Sequence, residues 1–128
     1  MEEQVFNDSL IDIPYSKENI KSFVSNLPKE PGVYKFLDQS MKPIYIGKAK
    51  NLKNRVTSYF RDSDKKSKKV EKLVKCSKKI EITLTESELE ALLIEQHLIK
   101  QTKPRFNVQF KDDKGYPWIK IDISNEFP

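Results

Sequence analysis

The stretch PGVYKFLDQSMKPIYIGKAKNLKNRVTSYF, residues 31–60, decides the fold. Within it, residues 32–37 are typical of a strand, the polar residues that follow are typical of a turn, and residues 44–46 are typical of a short partner strand. A helix capped near Asn51 comes next. Its buried side carries Leu52, Val56, Tyr59 and Phe60. The stretch therefore predicts a β-hairpin followed directly by a basic helix.

The rest of the chain predicts further helices and strands. In chain order, the predicted elements are a helix at 16–27, the hairpin and helix described above, a helix that carries Val70, Leu73 and Val74, a strand at 80–85, a helix at 86–101 and a strand at 119–123. Residues 1–15 show no clear period and are predicted to form a loose or docking extension. The expected fold class is a small α+β sandwich, whose central antiparallel sheet has about three strands and is flanked by helices.

Length and composition indicate one small domain of a cytoplasmic protein. A chain of 128 residues can bury a single core, and 37% hydrophobic with 34% charged residues fits a heavily solvated surface. The single cysteine, Cys76, excludes an internal disulfide and a cysteine-based zinc site, and it fits a reducing compartment. The acidic N-terminal residues lack the apolar segment of a signal peptide, and no run is long enough to span a membrane.

Positive charge is concentrated in the middle of the chain. Residues 42–80 contain 14 lysine or arginine side chains and three acidic ones, a net charge of +11, whereas the rest of the chain has 10 basic and 16 acidic side chains. A fold that keeps its positive charge in one segment is expected to show a basic face, which suits a polyanion such as nucleic acid. A lysine-rich surface that binds nothing specific is the alternative.

Two tyrosines and one arginine are candidates for chemistry. Tyr34 and Tyr45 could point to the same face of the hairpin, although a buried tyrosine usually belongs to the core. A cation such as Lys48 or Lys50 near a phenol would lower its pKa and let the phenolate accept a proton from water. Arg55 is one of three arginines against 21 lysines. Its guanidinium matches phosphate geometry in a way that an ammonium does not, although an ordinary surface arginine is the alternative.

The helix predicted at 86–101 supplies a candidate metal ligand. Its start is marked by a capping box formed by one of two pairs, Thr85 with Glu88 or Ser87 with Glu90. Further along the helix, the neighbours of Glu95 one turn away are Ala91, Leu92, Leu98 and Ile99. A carboxylate in apolar surroundings is costly unless it is paired or binds a cation. Glu95 is therefore a candidate ligand for a hard metal ion, and a salt bridge is the alternative.

Together these residues supply what phosphodiester hydrolysis needs: a base, a cation for the developing phosphate charge, and a carboxylate for a metal ion. The motifs that carry them are GVY at 32–34, YIGKAKNLKNR at 45–55, EALLIE at 90–95 and PRFN at 104–107. From about residue 27 to residue 117, the chain resembles the GIY-YIG endonucleases. The resemblance implies a GIY-YIG-type sandwich and metal-dependent hydrolysis of DNA, in the branch that makes the incision 3′ to a lesion in bacterial nucleotide excision repair.

The resemblance also implies a role for individual residues. The catalytic residues would be Tyr34, Tyr45, Lys48, Arg55 and Glu95. One of the two tyrosines would activate the attacking water, and Glu95 would be the only protein ligand of one divalent metal ion, Mg²⁺ or Mn²⁺. The supporting residues would be Gly47, where backbone and phosphate could approach closely, Tyr59 and Asn107. The DNA contacts would come from Lys48, Lys50, Lys53, Arg55, Lys65, Lys66, Lys68 and Lys69.

Domain organisation and partners are further implications of the resemblance. It divides the chain into an N-terminal extension and helix at 1–27, a nuclease domain at 28–117, and a strand at 118–128 that starts a truncated continuation. The expected partners are damaged duplex DNA and a UvrB-type protein that binds through regions absent from this chain. The isolated domain is expected to be monomeric. The alternatives are a free-standing nuclease of the same family, a basic module that binds nucleic acid without cutting it, and a protein-docking domain.

Overall fold

An antiparallel sheet flanked by helices forms the part of the chain that the computed structural model describes, residues 8–61 and 67–108. The elements in this part are β1 (Asp8–Asp12), α1 (Lys17–Ser25), β2 (Gly32–Leu37), β3 (Pro43–Ala49), α2 (Leu52–Phe60), α3 (Lys68–Cys76), β4 (Lys79–Leu84) and α4 (Glu88–Thr102). The four strands lie in the order β1-β4-β2-β3, so β1 and β3 are the edge strands. The α+β class expected from the sequence is confirmed.

The predicted hairpin is formed by β2 and β3. Asp38 accepts two backbone hydrogen bonds across the connecting turn, which holds the turn closed. In the antiparallel pairing, Tyr34 lies opposite Gly47 and Phe36 lies opposite Tyr45. Directly opposed residues share a face of a sheet, and so do alternate residues of one strand. Tyr34 and Tyr45 therefore lie on the same face.

The two faces of the sheet are covered by different helices. On the face that carries Tyr34, α1, α2 and α3 contribute to the larger core. Its buried members from these helices and from the sheet include Phe23, Leu52, Val56, Leu73, Phe36, Ile80 and Ile82. On the opposite face, Ala91 of α4 packs with Val33 and Ile46 in a second, smaller core. The helix α2 that carries Arg55 and the helix α4 that carries Glu95 are thus on opposite sides of the sheet.

The strand β1 is not predicted from the sequence. It pairs antiparallel with β4, with Asp8 opposite Thr83 and Asp12 opposite Lys79. Its Ile11 packs against the larger core, whereas Leu10 is half exposed. The sheet has four strands where about three are expected, because the partner of this short segment lies far along the chain and leaves no local signal.

The start of α4 settles the choice between the two capping boxes. Ser87 is the N-cap, and its side chain accepts a hydrogen bond of 3.1 Å from the N–H of Glu90. The Glu90 carboxylate in turn accepts a hydrogen bond of 2.8 Å from the N–H of Glu86.

The strand predicted at 119–123 lies outside the described residues, and the domain boundaries stay predictions. Within the described ranges, no helix is both long and apolar enough to cross a membrane.

Candidate active site

Three tyrosines from three different elements meet beside the edge strand β3. Tyr34 of β2, Tyr45 of β3 and Tyr59 of α2 have ring centroids 5.8–6.3 Å apart. The hydroxyls of Tyr34 and Tyr59 share a hydrogen bond of 2.8 Å, and the Tyr45 side chain is also hydrogen-bonded to Tyr59. Tyr59 therefore links the two tyrosines of the hairpin through their polar ends.

Burial keeps the phenols of Tyr34 and Tyr45 protonated. It raises the pKa of Tyr34 well above the usual phenol value, and the neighbouring phenols Tyr59 and Tyr45 raise it further. Burial also raises the pKa of Tyr45, and Tyr59 and Glu95 add to that rise. The positive charge of Arg55 lowers both pKa values but is the smallest contribution. Burial outweighs the effect of the nearby cation Arg55, and the expectation that a nearby lysine lowers the pKa of a phenol stays a prediction.

Gly47 leaves the space that the Tyr34 ring occupies. A Cβ atom at this position would overlap Cζ and Oη of Tyr34 and would lie 2.9 Å from Cε2. A larger residue would push the phenol away from Tyr59, since atoms this close cannot both stay in place. The structure thus gives Gly47 a packing role on the Tyr34 side of the strand. The approach of phosphate to its backbone stays a prediction.

Arg55 lies on the exposed side of α2, next to the tyrosines. Asn51 caps this helix by accepting a hydrogen bond of 3.1 Å from the N–H of Asn54, which confirms the predicted helix start. A shallow cleft of about 360 Å³ runs along the first turns of α2. Its lining residues are Ala49, Lys50, Asn51, Asn54, Arg55 and Ser58. The guanidinium therefore borders a surface cleft.

Glu95 approaches β3 from the opposite face of the sheet. Burial raises the pKa of its carboxyl. A hydrogen bond of 2.9 Å from the Gln96 side chain, the positive charges of Lys48 and Arg55, and a hydrogen bond from the backbone N–H of Lys48 all oppose that rise. A half-buried carboxylate held in this way keeps lone pairs for a cation.

Lys48 joins β3 to α4 at two points. Its backbone N–H reaches Glu95, and its ammonium forms a salt bridge of 3.1 Å with Glu88, two turns earlier on the same helix. The contact with Glu88 was not foreseen, because the sequence identifies Glu88 only as a possible capping residue. Lys48 thus lies between two carboxylates of α4.

The candidate site straddles the edge strand β3. The phenols and Arg55 lie on one side of this strand, and Lys48 and Glu95 lie on the other. Within residues 8–61 and 67–108, no three His, Cys, Asp or Glu side chains converge on one point. A single carboxylate fits Mg²⁺, which commonly keeps several waters and takes only one or two protein carboxylates.

Comparison with known proteins identifies the family. The model of the UvrC-like GIY-YIG domain matches residues 30–108, more than half of the chain. The chain belongs to the UvrC-like GIY-YIG family. It is 50% identical over 105 residues to the UvrABC system protein C of Carboxydothermus hydrogenoformans, covering 82% of this chain and 17% of that protein. The corresponding protein of Hahella chejuensis is 50% identical over 108 residues, covering 84% of this chain and 18% of the relative.

Solved structures of the family agree with the fold. The N-terminal endonuclease domain of UvrC from Thermotoga maritima, bound to magnesium as its catalytic divalent cation, matches with a TM-score of 0.61 and 37% identity. The match covers 71% of this chain and 98% of that domain. The chain thus corresponds to nearly the whole of that domain, whereas it spans about a sixth of the length of the curated relatives.

Asn107, near the end of the segment that matches the family, contacts the edge strand β3. Its Oδ1 accepts a hydrogen bond of 2.8 Å from the N–H of Ile46, and its Nδ2 donates one of 2.9 Å to the Ile46 carbonyl. The side chain therefore pairs with the outer edge of β3 as a neighbouring strand would. This contact holds the strand segment between Tyr45 and Gly47 in place.

The lysines expected to contact DNA are spread over several elements. Lys50 is exposed and borders the cleft beside Arg55, and Lys53 is half-buried on α2. Lys68 and Lys69 lie in the first turn of α3, with Lys68 exposed. Lys65 and Lys66 lie outside the described residues. Lys50, Lys53, Lys68 and Lys69 therefore lie on or next to α2 and α3, whereas Lys48 lies on the opposite side of β3, with Glu95.

Proposed function

We propose that this chain is the domain of a UvrC-type repair protein that hydrolyses one phosphodiester bond of damaged duplex DNA, making the incision 3′ to the lesion. One observation carries the proposal: Tyr45, Lys48, Arg55 and Glu95, which come from three elements and two faces of the sheet, converge at one edge strand. A fold needs no such convergence of polar groups. The protein would act in the cytoplasm, and a UvrB-type partner would bind through regions outside this chain.

Tyr45 is the better candidate for the general base. Tyr34 is almost fully buried, whereas Tyr45 is partly exposed, so an attacking water would reach the Tyr45 side chain more readily. As the water oxygen bonds to phosphorus, its proton would pass to Tyr45 Oη, which must then be a phenolate. The P–O bond to one of the two sugars would break at the same time, and the released sugar oxygen would take a proton from solvent. Arg55 favours that form by its charge, and the hydrogen bond with Tyr59 holds the phenol in position.

Arg55 and Lys48 would act on the phosphate. The guanidinium, at the border of the cleft, can donate two hydrogen bonds to the pentavalent phosphate, whose charge is greater in the transition state than in the ground state. The Lys48 ammonium would exchange Glu88 for a phosphate oxygen when DNA binds. Both cations are already near the phenols or Glu95, so little rearrangement is needed.

Glu95 would hold one divalent metal ion, Mg²⁺ or Mn²⁺. The magnesium-bound domain from Thermotoga maritima supports this assignment, as does the single half-buried carboxylate at the edge of β3. Such an ion supplies positive charge that neutralises the phosphate and favours the phenolate form of Tyr45. Gly47, Tyr59 and Asn107 would keep the strand and the phenols in register.

The test compares two carboxylates of the same helix. The full-length protein, carrying Glu95→Gln or the control Glu90→Gln, is incubated with Mg²⁺ and with lesion-bearing DNA loaded with the UvrB-type partner. We expect Glu95→Gln to slow the 3′ nick by at least about 100-fold while DNA affinity holds, since a catalytic metal ion contributes several kcal/mol. Glu90→Gln keeps the capping acceptor and should nick at the normal rate.

The opposite result favours the alternative function. If Glu95→Gln nicks at the wild-type rate, the carboxylate is structural and the assigned site is wrong. A protein that binds DNA with a steep salt dependence but never nicks it would be a non-catalytic basic module, consistent with the charge of residues 42–80. Sedimentation of the 128-residue chain checks the accompanying proposal that the isolated domain is a monomer.

A further inference from the structure

A second cleft lies at the end of the sheet where the hairpin turns, and it shares no lining residue with the cleft beside Arg55. It has a volume of about 370 Å³ and is formed where β1 ends, β4 begins and the hairpin turns. Its lining residues are Asp12, Ile13, Tyr15, Gln39, Lys78 and Lys79. These six residues are called the tyrosine–lysine patch below. No role proposed above uses any of them.

The backbone of the tyrosine–lysine patch is firmly held. The N–H of Lys78 donates a hydrogen bond of 2.8 Å to the carbonyl of Leu37, at the end of β2. The carbonyl of Lys78 accepts one of 2.9 Å from the N–H of Ile13, just after β1. Ile13 in turn packs against the larger core. Lys78 is therefore fixed between two strands, and Tyr15 follows Ile13 by only two residues.

The Tyr15 ring presents an aromatic face to solvent. The residue is 87% exposed, so the ring contributes little to the core. The Lys78 ammonium lies over the ring, 5.4 Å from its centroid, and at 87% exposure most of the ring surface stays open to solvent. Asp12 pairs with Lys79 at 2.8 Å, whereas in the described part of the chain no carboxylate pairs with Lys78. An aromatic ring and an ammonium that lacks a carboxylate partner there are thus held side by side.

We propose that the tyrosine–lysine patch binds an unpaired nucleotide of single-stranded DNA. The base would stack on the exposed ring of Tyr15, and Lys78 would contact the adjacent phosphate. A paired base offers only its edges to a protein, so a tyrosine face at the surface is of use to a strand whose bases are unstacked. An acidic peptide would use the lysines but would gain nothing from the ring.

The position of the patch suits a strand that also reaches the phenols. Lys79 lies beside Ile80, which is opposite Phe36, and Phe36 is opposite Tyr45. Two strand spacings and one residue separate the two backbones, about 10 Å in all. Because Phe36 and Ile80 are fully buried, a bound strand would follow the surface around them and span more than this distance. The inference rests on the proposed function for its biological setting, but the binding itself does not depend on cleavage.

The test measures binding of the 128-residue chain to three labelled probes by fluorescence anisotropy: oligodeoxythymidylate, an abasic oligomer of the same length and charge, and a matched duplex. Tyr15→Ala should weaken binding of oligodeoxythymidylate by about fivefold or more, and should leave binding of the abasic oligomer and the duplex unchanged. Tyr15→Phe should bind normally, because it keeps the ring.

The lysine is tested by salt dependence. Lys78→Ala should reduce the slope of log K against log salt for the single strand by about 0.7, the change expected for one lost phosphate contact. The control Lys21→Ala removes an equal charge from exposed α1 and should not change the slope. Tyr15→Ala should leave the slope unchanged, because stacking releases no counterions.

Three outcomes would overturn the inference. In the first, Tyr15→Ala binds oligodeoxythymidylate as well as the wild type does. In the second, Tyr15→Ala weakens binding of the abasic oligomer or of a glutamate peptide equally, so that no base is read. In the third, Tyr15→Ala lowers only the melting temperature, which makes the ring structural. Nicking by Glu95→Gln is scored separately, so a failed patch and a failed active site give different results.

Discussion

Tyr45 and Glu95 approach β3 from opposite faces of the sheet, and burial raises the pKa of both side chains. The alternation of side chains in the hairpin predicts that Tyr34 and Tyr45 could share a face of the sheet. In the structure both residues lie on the same face. The direction of their pKa shifts was not predictable from the sequence. It depends on how tightly α2 covers the phenols, and a cation nearby in sequence says nothing about burial.

The raised pKa values predict a loss of stability at alkaline pH. Tyr34 and Tyr45 have folded-state pKa values above the unfolded value of about 10, so the stability linked to their neutral forms is fully present below pH 10. It is lost as the pH rises from there towards the folded values. Each phenol then lowers the free energy of unfolding by up to about 1.4 kcal/mol per pH unit.

Denaturant unfolding at pH 9, 10 and 11 measures this loss. The double variant Tyr34→Phe/Tyr45→Phe should show a smaller fall in the free energy of unfolding between pH 10 and 11 than the wild type, because it lacks both buried phenols. The control Tyr15→Phe alters an exposed ring and should keep the wild-type slope. Equal slopes in the double variant and the wild type would mean that the phenols ionise freely in the folded protein.

At the scale of elements, sequence signals within a few residues predict the hairpin, α2 and α4. They do not predict the pairing of segments that are far apart in the chain. The polar turn around Asp38, the cap Asn51 and the Ser87–Glu90 box each act within a few residues, so a single sequence reveals them. The strand β1 forms only because β4 offers it an edge. The salt bridge between Lys48 and Glu88 likewise arises from packing of α4 on β3 and has no sequence signature.

The pairing of Asn107 with β3 predicts how this edge strand is held. Asn107→Ala removes both hydrogen bonds to the backbone of Ile46 and should cost about 1–3 kcal/mol of stability, since the groups left behind are partly buried. Amide hydrogen exchange at Ile46 should accelerate more than the global loss explains. Asn19→Ala, on exposed α1, is the control and should change neither quantity. Unchanged protection of Ile46 in Asn107→Ala would show that the side chain does not hold the strand.

At the scale of the whole molecule, the proposed active site lies at one edge of the sheet and β1 lies at the other. The set of candidate residues could be read from the sequence, because their motifs lie in two short segments. Their convergence around β3 could not, since it requires α2 and α4 to pack on opposite faces of the sheet. The strand order also implies that the proposed active site does not touch β1.

Removing β1 should therefore lower the stability of the domain without changing the geometry of the proposed active site. A chain that begins at Pro14 loses the partly buried Ile11 and Ile13, which should cost about 2–4 kcal/mol of stability and lower the melting temperature. Because β4 and β2 still lie between the new edge and β3, backbone amide chemical shifts from Tyr45 to Lys48 should stay within the spread of a Leu10→Ala control. Full-length protein with the same truncation should nick DNA within about twofold of the normal rate, measured below both melting temperatures. Shifted amides in a chain that still unfolds cooperatively would show that β1 helps to set the register of β3, and that the N-terminal boundary of the nuclease domain lies before residue 28.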